Sequence, residues 1–329
     1  DVAREANAAI GVAPPVPGGG VVYPTVCAGA LLIDCADCGA EDVLRNADAA
    51  LHAAKSSGPG SLRAFAGDLV HHTRARLNLE AHLRQAWETR QLTLEYQPQF
   101  EVDGVRLGGV EALLRWRTPE GERVAPSVFI PLAEEIGLIR EIGVWVLEQA
   151  CRQGRAWHDA GLVDLQVSVN LSAAQLPDDD LVDTLSGILN ATGFPAEKLE
   201  IELTESTVLA AEETSDTFLE RLPDLGVHLS IDDFGTGYSS FSALKRLPLD
   251  QLKVDLSLIR DIAENLDDRA ITSAIIAMGH TLGLKVLAEG VETQEQLEIL
   301  RELGCDRFQG FLMSPSLTPE EFARRFLTT

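Results

Sequence analysis

The chain has 329 residues, 45% of them hydrophobic and 24% charged, which is enough apolar material for a large core and excludes disorder as its main state. Twenty-seven basic residues face fifty-one acidic ones, a net charge of -24. A surface that negative repels nucleic-acid backbones and anionic membranes, so DNA, RNA and membrane partners held by charge alone are excluded.

The imbalance is local. Residues 91–329 carry 19 basic and 41 acidic side chains, against eight and ten in residues 1–90. Any phosphate ligand of the second region therefore needs a local device, such as a metal ion. Five cysteines (Cys27, Cys35, Cys38, Cys151 and Cys305) are too few and too scattered for a disulfide framework. Cys35 and Cys38 have CxxC spacing, but no second pair follows to complete a zinc site. No signal peptide is evident, and the apolar run Val21 to Ile33 is too short to span a bilayer. A soluble, cytoplasmic chain with free thiols is expected.

In chain order, Ala13 to Gly20 reads APPVPGGG, a loop, and a β-like run follows over 21–33. Gly39 opens a helix with Val43, Leu44, Ala47, Ala50 and Leu51 on one face, ended by Ser56-Ser-Gly-Pro-Gly60. Asp68 to Thr89 reads as a helix that leads into a second domain beginning near Gln91. From there short β-type runs alternate with longer helical patterns. The β-type runs are 92–97, 105–116, 165–171, 199–204, 227–232, 251–254, 285–289 and 307–311. The helical stretches are 131–136, 144–158, 181–192, 218–225, 269–282 and 294–303. Eight strands alternating with helices predict an α/β fold, a (β/α)8 barrel of the TIM type. Only Asp103-Gly104 joins the first two strands, which is a hairpin signal, so the first strand should run antiparallel.

Active residues of such barrels gather at the C-terminal strand ends. Here those ends carry Gln97, Glu111, Asn170, Glu202, Asp232 with Asp233, Lys253, Glu289 and Gln309. One polar strand end means little, since a strand often stops where it meets water. Convergence from many strands onto one face means more, because several of these groups interrupt apolar runs and cost several kcal/mol to desolvate unless paired or metal-bound. Glu111, Glu202, Asp232, Asp233 and the Asn170 amide form an all-oxygen set, which suits magnesium or manganese rather than zinc or copper. None of the seven histidines falls at these ends. Adjacent Asp232 and Asp233 can serve two metals, because the strand breaks into Phe234-Gly-Thr-Gly237. Two metals roughly 3.5–4 Å apart suit in-line attack of water on a phosphodiester, lowering the pKa of that water from about 15.7 towards 7. Lys253 is the one expected cation, either an ion-pair partner for the carboxylates or a group that orients the attacking water. Glu289 would bind the second metal or accept a proton.

Tyr96-Gln-Pro-Gln, Glu111-Ala-Leu-Leu-Arg-Trp116, Asn170-Leu-Ser, Glu202-Leu-Thr-Glu205, Asp232-Asp-Phe-Gly-Thr-Gly-Tyr-Ser-Ser240, Lys253-Val-Asp, Ala288-Glu-Gly-Val-Glu292 and Gln309-Gly-Phe-Leu resemble the EAL-domain family over residues 91–329. The resemblance implies hydrolysis of cyclic di-GMP to linear pGpG with magnesium or manganese, two ions per site. By resemblance, Glu111, Asn170, Glu202 and Asp232 look like ligands of one metal, and Asp232, Asp233 and Glu289 like those of the second. Lys253 is similar to the family's catalytic lysine. Glu205 resembles the residue that holds the loop 234–240, and Glu292 a supporting acid. Gln97, Arg115 and Gln309 look like substrate contacts. After Met313-Ser314 the family often has a basic residue before proline, whereas here Pro315-Ser316 follows directly.

Residues 21–66 resemble the C-terminal part of a GGDEF (diguanylate cyclase) domain, notably Ala47 to Lys55, but its GG(D/E)EF turn is absent from the chain. The expected division is a truncated or degenerate GGDEF-like part over 1–67, a helical linker over 68–90 and the barrel over 91–329. The resemblance also allows a homodimer through the 234–240 loop and its neighbouring helix. The alternative function is a catalytically silent cyclic di-GMP receptor. It is disfavoured because every acidic and basic residue that hydrolysis requires is present.

Overall fold

The computed structural model describes residues 27–30, 40–56, 58, 61–64, 68–176, 180–208, 217–235 and 247–327. The Ala13 to Gly20 loop, Cys35 and Cys38, and residues 236–240 lie outside them. The chain divides into two compact units, Asp1–Leu83 and Arg84–Thr329.

In the first unit, β1 (Ala28–Ala30) and β2 (Leu62–Ala64) pair in parallel, and α1 (Ala40–Ser56) is the crossover between them. Of the expected run 21–33, the described part is this one short strand. A Cβ on Gly29 would sit 2.3 Å from the Leu51 backbone nitrogen, so glycine is what lets the strand lie against the helix. Ala50 and Ala54 on that helix are fully buried. Next in the chain is α2 (Asp68–Glu88).

The second unit is a closed barrel. Its strands are β3 (Leu92–Glu101), β4 (Leu107–Arg117), β6 (Gln166–Asn170), β7 (Leu199–Thr204), β8 (His228–Phe234), β9 (Gln251–Val254), β10 (Lys285–Ala288) and β11 (Arg307–Gln309). The order β3-β11-β10-β9-β8-β7-β6-β4 closes through β3–β4. As the Asp103-Gly104 hairpin predicts, β3 is antiparallel to β4, and it is also antiparallel to β11. All other ring pairings are parallel. A short β5 (Arg123–Val124), not foreseen from sequence, folds back on the end of β4.

Around the ring lie α3 (Pro126–Glu135), α4 (Ile139–Asp159), α5 (Leu181–Thr192), α6 (Thr217–Leu225), α7 (Leu256–Arg260), α8 (Leu266–Thr281), α9 (Gln294–Glu302) and α10 (Pro319–Phe326). Several helices start earlier than the apolar spacing suggests, because their caps decide the matter. Pro126 opens α3 at its first turn, and Asn265 accepts the N–H groups of Asp267 and Asp268 ahead of α8. Capping boxes fix α9 (Thr293 with Gln296) and α10 (Thr318 with Glu321).

The apolar core lies between strands and helices rather than inside the ring. Outward residues Val110, Val167, Ile201, Leu252 and Val286 are fully buried. Tyr96 stacks edge-on to Trp157 of α4 at 4.8 Å, and Trp157 meets Phe322 of α10 at 4.3 Å. Inward positions are polar: Gln99, Ser168, Glu200, Ser230, Gln251 and Arg307 form a buried lower layer. The period of two that buries one face of each strand thus places carboxylates and amides inside the ring.

Candidate active site

Lys253 stands in mid-barrel on β9, and its side chain is 0% exposed. Its Nζ lies 2.7 Å from Glu202 Oε2, 2.8 Å from Glu289 Oε1, 3.1 Å from Asp232 Oδ1 and 3.6 Å from Glu111 Oε2. Burial alone would push the Lys253 ammonium down, but Asp232, Glu111, Glu202 and Glu289 outweigh it and hold its pKa well above the usual lysine value. Lys253 therefore stays charged.

One ammonium does not balance four carboxylates, and the deficit is visible on the acids. Burial pushes the Glu202 carboxyl well up; Lys253 pulls it down, while Glu111, Asp232 and Glu200 add to the push. Burial also raises Glu289 to about 8, against the pull of Lys253. Glu111 goes the other way. Its burial is outweighed by Lys253 and by the Gln309 and Asn170 amides, which donate to it at 2.6 and 2.7 Å.

Local geometry explains how neighbouring acids converge. Successive residues of a strand point to opposite faces, so Asp232 and Asp233 would normally diverge. Asp233 instead takes a left-handed backbone, φ 56°, strain that costs about 1–3 kcal/mol. Its N–H donates to Asp232 Oδ1 at 3.0 Å. Asp232, Asp233 and Glu289 then bring carboxylate oxygens within 4.8 Å of one another, as do Glu111, Glu202 and Asp232. These are two groups sharing Asp232. The Glu202 Oε1 atom is buried and has no hydrogen-bond partner among the described residues. An orphaned carboxylate oxygen in an oxygen-only, charge-deficient cluster fits a hard divalent cation.

The other expected residues surround this centre. Gln97 and Gln309 are joined at 3.1 Å, and Gln99 donates to Gln309 Oε1 at 3.1 Å, an amide chain along β3 and β11. Glu205 is buried just past β7, and its Oε2 accepts the Gly235 N–H at 3.4 Å. Of the expected 234–240 loop, only Phe234 and Gly235 are among the described residues. Glu292 is exposed before α9, its backbone N–H donating to Gln296, and it makes none of the contacts that join the cluster. Arg115 is held in place: Nε donates to Glu95 Oε2 at 3.0 Å, Nη1 to the Leu114 carbonyl at 3.1 Å and Nη2 to Ser316 Oγ at 3.1 Å. Ser316, where the family pattern differs, donates its hydroxyl to Glu95 at 2.8 Å.

Sequence reading missed Glu95 with Arg117 and Arg123, and also the lower layer of Ser168, Glu200 and Gln251. A signal existed in the strict alternation of Thr93, Glu95, Gln97, Gln99 and Glu101 along β3, polar residues on one face of a strand whose other face is apolar.

The fold is a (β/α)8 barrel of the TIM type whose acidic centre at the C-terminal strand ends could hold metal ions. The EAL domain model matches residues 80–316, and the chain belongs to that family. It is 46% identical over 280 residues to the bifunctional diguanylate cyclase/cyclic di-GMP phosphodiesterase MucR of Pseudomonas aeruginosa, covering 85% of this chain and 41% of that one. It is 45% identical over 289 residues to the cyclic di-GMP phosphodiesterase NbdA of the same organism, covering 87% and 37%. The chain thus spans less than half the length of these relatives. The solved PaMucR phosphodiesterase in complex with c-di-GMP matches with a TM-score of 0.72 and 48% identity, over 74% of this chain and 99% of that chain.

Proposed function

We propose that the barrel hydrolyses cyclic di-GMP to pGpG with two magnesium or manganese ions. The observation that carries this reading is the Lys253 cluster: four carboxylates on one buried ammonium, with Glu202 Oε1 left without a partner among the described residues. The family and the relatives' activities support it.

In this reading Glu111, Asn170, Glu202 and Asp232 hold one ion, and Asp232, Asp233 and Glu289 hold the other. When bound, the ions supply an acidified water and neutralise the anionic phosphodiester. Lys253 Nζ orients the attacking oxygen and stabilises charge developing on phosphorus. Glu289, whose carboxylate lies 2.8 Å from Lys253 Nζ, holds an ion or accepts the proton that the water gives up. The new bond joins water oxygen to phosphorus and the bond to the 3′ oxygen breaks, leaving a 5′-phosphate and a 3′-hydroxyl. Gln97 and Gln309 contact the nucleotide, and Arg115, fixed by Glu95 and Ser316, meets a phosphate oxygen. Glu205 steadies the start of the loop after β8, with Glu292 as a supporting acid.

Residues 1–67 are assigned to a GGDEF-like part without cyclase chemistry, 68–90 to a helical linker and 91–329 to the phosphodiesterase. The parallel β1–α1–β2 unit supports an α/β arrangement there. No described helix is long and apolar enough to cross a membrane. The charge argument disfavours nucleic acid, and a cytoplasmic setting and a homodimer through the barrel complete the proposal.

The test is chromatography of products after incubation with cyclic di-GMP and magnesium or manganese, beside EDTA and Lys253→Ala controls. The appearance of pGpG, lost in both controls, is expected. Binding of the nucleotide without product would reassign the chain to the receptor class.

A further inference from the structure

Above the metal-binding residues, the inner wall of the barrel changes sign. Gln97 sits opposite Glu111 in the β3–β4 register, and its side chain reaches Gln309 inside the ring. Two residues further along the same faces come Glu95 on β3 and Leu113 on β4; β4 then continues with Arg115 and Arg117, and β5 places Arg123 opposite Arg117. Three guanidiniums converge on one carboxylate. Glu95 accepts from Arg115 at 3.0 Å, from Arg123 at 3.1 Å and from Arg117 at 3.4 Å.

The cluster is built from the inside. The Glu95 side chain is 7% exposed, while Arg117 and Arg123 are 45% and 61% exposed. Burial pushes the Glu95 carboxyl up, but Ser316, Arg115 and Arg123 outweigh it and keep it ionised. Within the cluster three guanidiniums meet one carboxylate, and Glu120 and Glu122 follow in the turn between β4 and β5. A guanidinium has five N–H donors in a rigid fork, and the bond to Glu95 uses one from each of Arg117 and Arg123. A chain with a net charge of -24 otherwise repels an anion before it reaches any metal.

We propose that Arg117 and Arg123, held in register by buried Glu95, form an anion-capture rim that draws a phosphodiester ligand past the acidic surface and hands it to the mouth. The ligand class is a dianionic cyclic dinucleotide, so the proposal rests on the function given above. Arg115 belongs to that function's own substrate contacts; Arg117 and Arg123 are the addition. As rim charges they act on encounter and on salt dependence rather than on the chemical step.

The experiment compares the wild-type chain with R117Q/R123Q, the charge-preserving R117K/R123K, and R152Q/R269Q, which removes two charges elsewhere. Arg152 and Arg269 sit in exposed ion pairs on α4 and α8. For each, kcat/KM for cyclic di-GMP is measured with metal, and Kd in EDTA, at about 50 mM and about 250 mM salt. R117Q/R123Q is expected to lose about fivefold in affinity or kcat/KM at low salt, and most of its salt dependence. The lysine pair keeps both, and R152Q/R269Q follows wild type. Equal loss in R152Q/R269Q would make net charge the cause and overturn the rim, as would an unchanged salt slope in R117Q/R123Q. If wild type binds without turnover, the phosphodiesterase reading falls while the rim is judged on Kd; if it neither binds nor turns over, both fall.

Discussion

The two ends of the barrel use the same residue types to opposite effect. At the C-terminal mouth, four carboxylates share one ammonium, and a buried oxygen of Glu202 has no partner among the described residues. At the N-terminal end most polar groups are matched, although Gln251 Oε1 is also buried without a hydrogen-bond partner among the described residues. Arg307 donates to Glu101 at 3.0 Å and to Gln166 at 2.5 Å, and Glu200 accepts from Ser168 at 2.9 Å and from Gln251 at 3.0 Å. Asp250 takes the Leu229 N–H and pairs with His228 at 2.9 Å, while Asp306 takes the Val286 N–H and pairs with His280 at 2.9 Å. A matched buried network rigidifies the scaffold; an unmatched one is a place where ligands supply the missing charge. The lesson is that the count of acidic residues inside a barrel says little until their partners are known.

The sharpest way to break this contrast is Lys253→Ala. Removing the ammonium is expected to cut turnover about a thousandfold and to destabilise the metal-free chain by about 3 kcal/mol or more, because four buried carboxylates lose their counter-charge. Product chromatography and denaturant unfolding in EDTA measure the two effects. Retained turnover would remove Lys253 from the chemistry.

Arg307→Ala probes the other end. It strands Glu101 and Gln166, so a loss of about 3 kcal/mol in unfolding free energy is expected while turnover per folded molecule stays within about twofold. A deep loss of kcat without loss of stability would erase the distinction between the two ends.

Glu205→Ala removes the acceptor of the Gly235 N–H, close in sequence to Asp232 and Asp233. Activity should fall about 10–100-fold, with a higher metal concentration needed for half-maximal rate and an unchanged melting curve, as for other groups that orient metal ligands. Unchanged turnover across a magnesium titration would refute the role.

The smallest expected effect is on pH. The hydrogen bond to Asp250 raises His228, so its share of stability is full below the ordinary histidine range and is lost as pH rises through the raised folded value. Asp250 is held low: its burial is outweighed by His228 and the Leu229 N–H, so its share is present above the ordinary carboxylate range and is lost as pH falls through the lowered value. The pair contributes most between those limits. His228→Asn should flatten the melting temperature against pH on the alkaline side, by well under 1 kcal/mol given its exposure. An identical pH profile in the variant would remove the pair from the stability account.

Much of this was legible beforehand because it is periodic or local. β7 and β9 fall at the bounds read from their apolar pattern, and the Asp103-Gly104 turn gave the antiparallel start. Each strand end carries a polar residue that the strand pattern leaves in no doubt. Other elements were hidden. The short helix α7 begins because the Asp255 side chain caps the Ser257 N–H, and α10 because Thr318 and Pro319 start a turn where apolar spacing is weak.

The sequence by itself determined the number and order of the barrel strands and the kinds of ligand atom at their ends, because hydrophobic period and residue chemistry are properties of neighbours along the chain. Only the tertiary structure decided which of those groups are balanced. Lys253 meets Glu111, Glu202, Asp232 and Glu289 from four other segments, and Glu95 meets Ser316 across 221 residues. Charge compensation depends on distance and burial in the closed ring, and neither is written in any one stretch of chain.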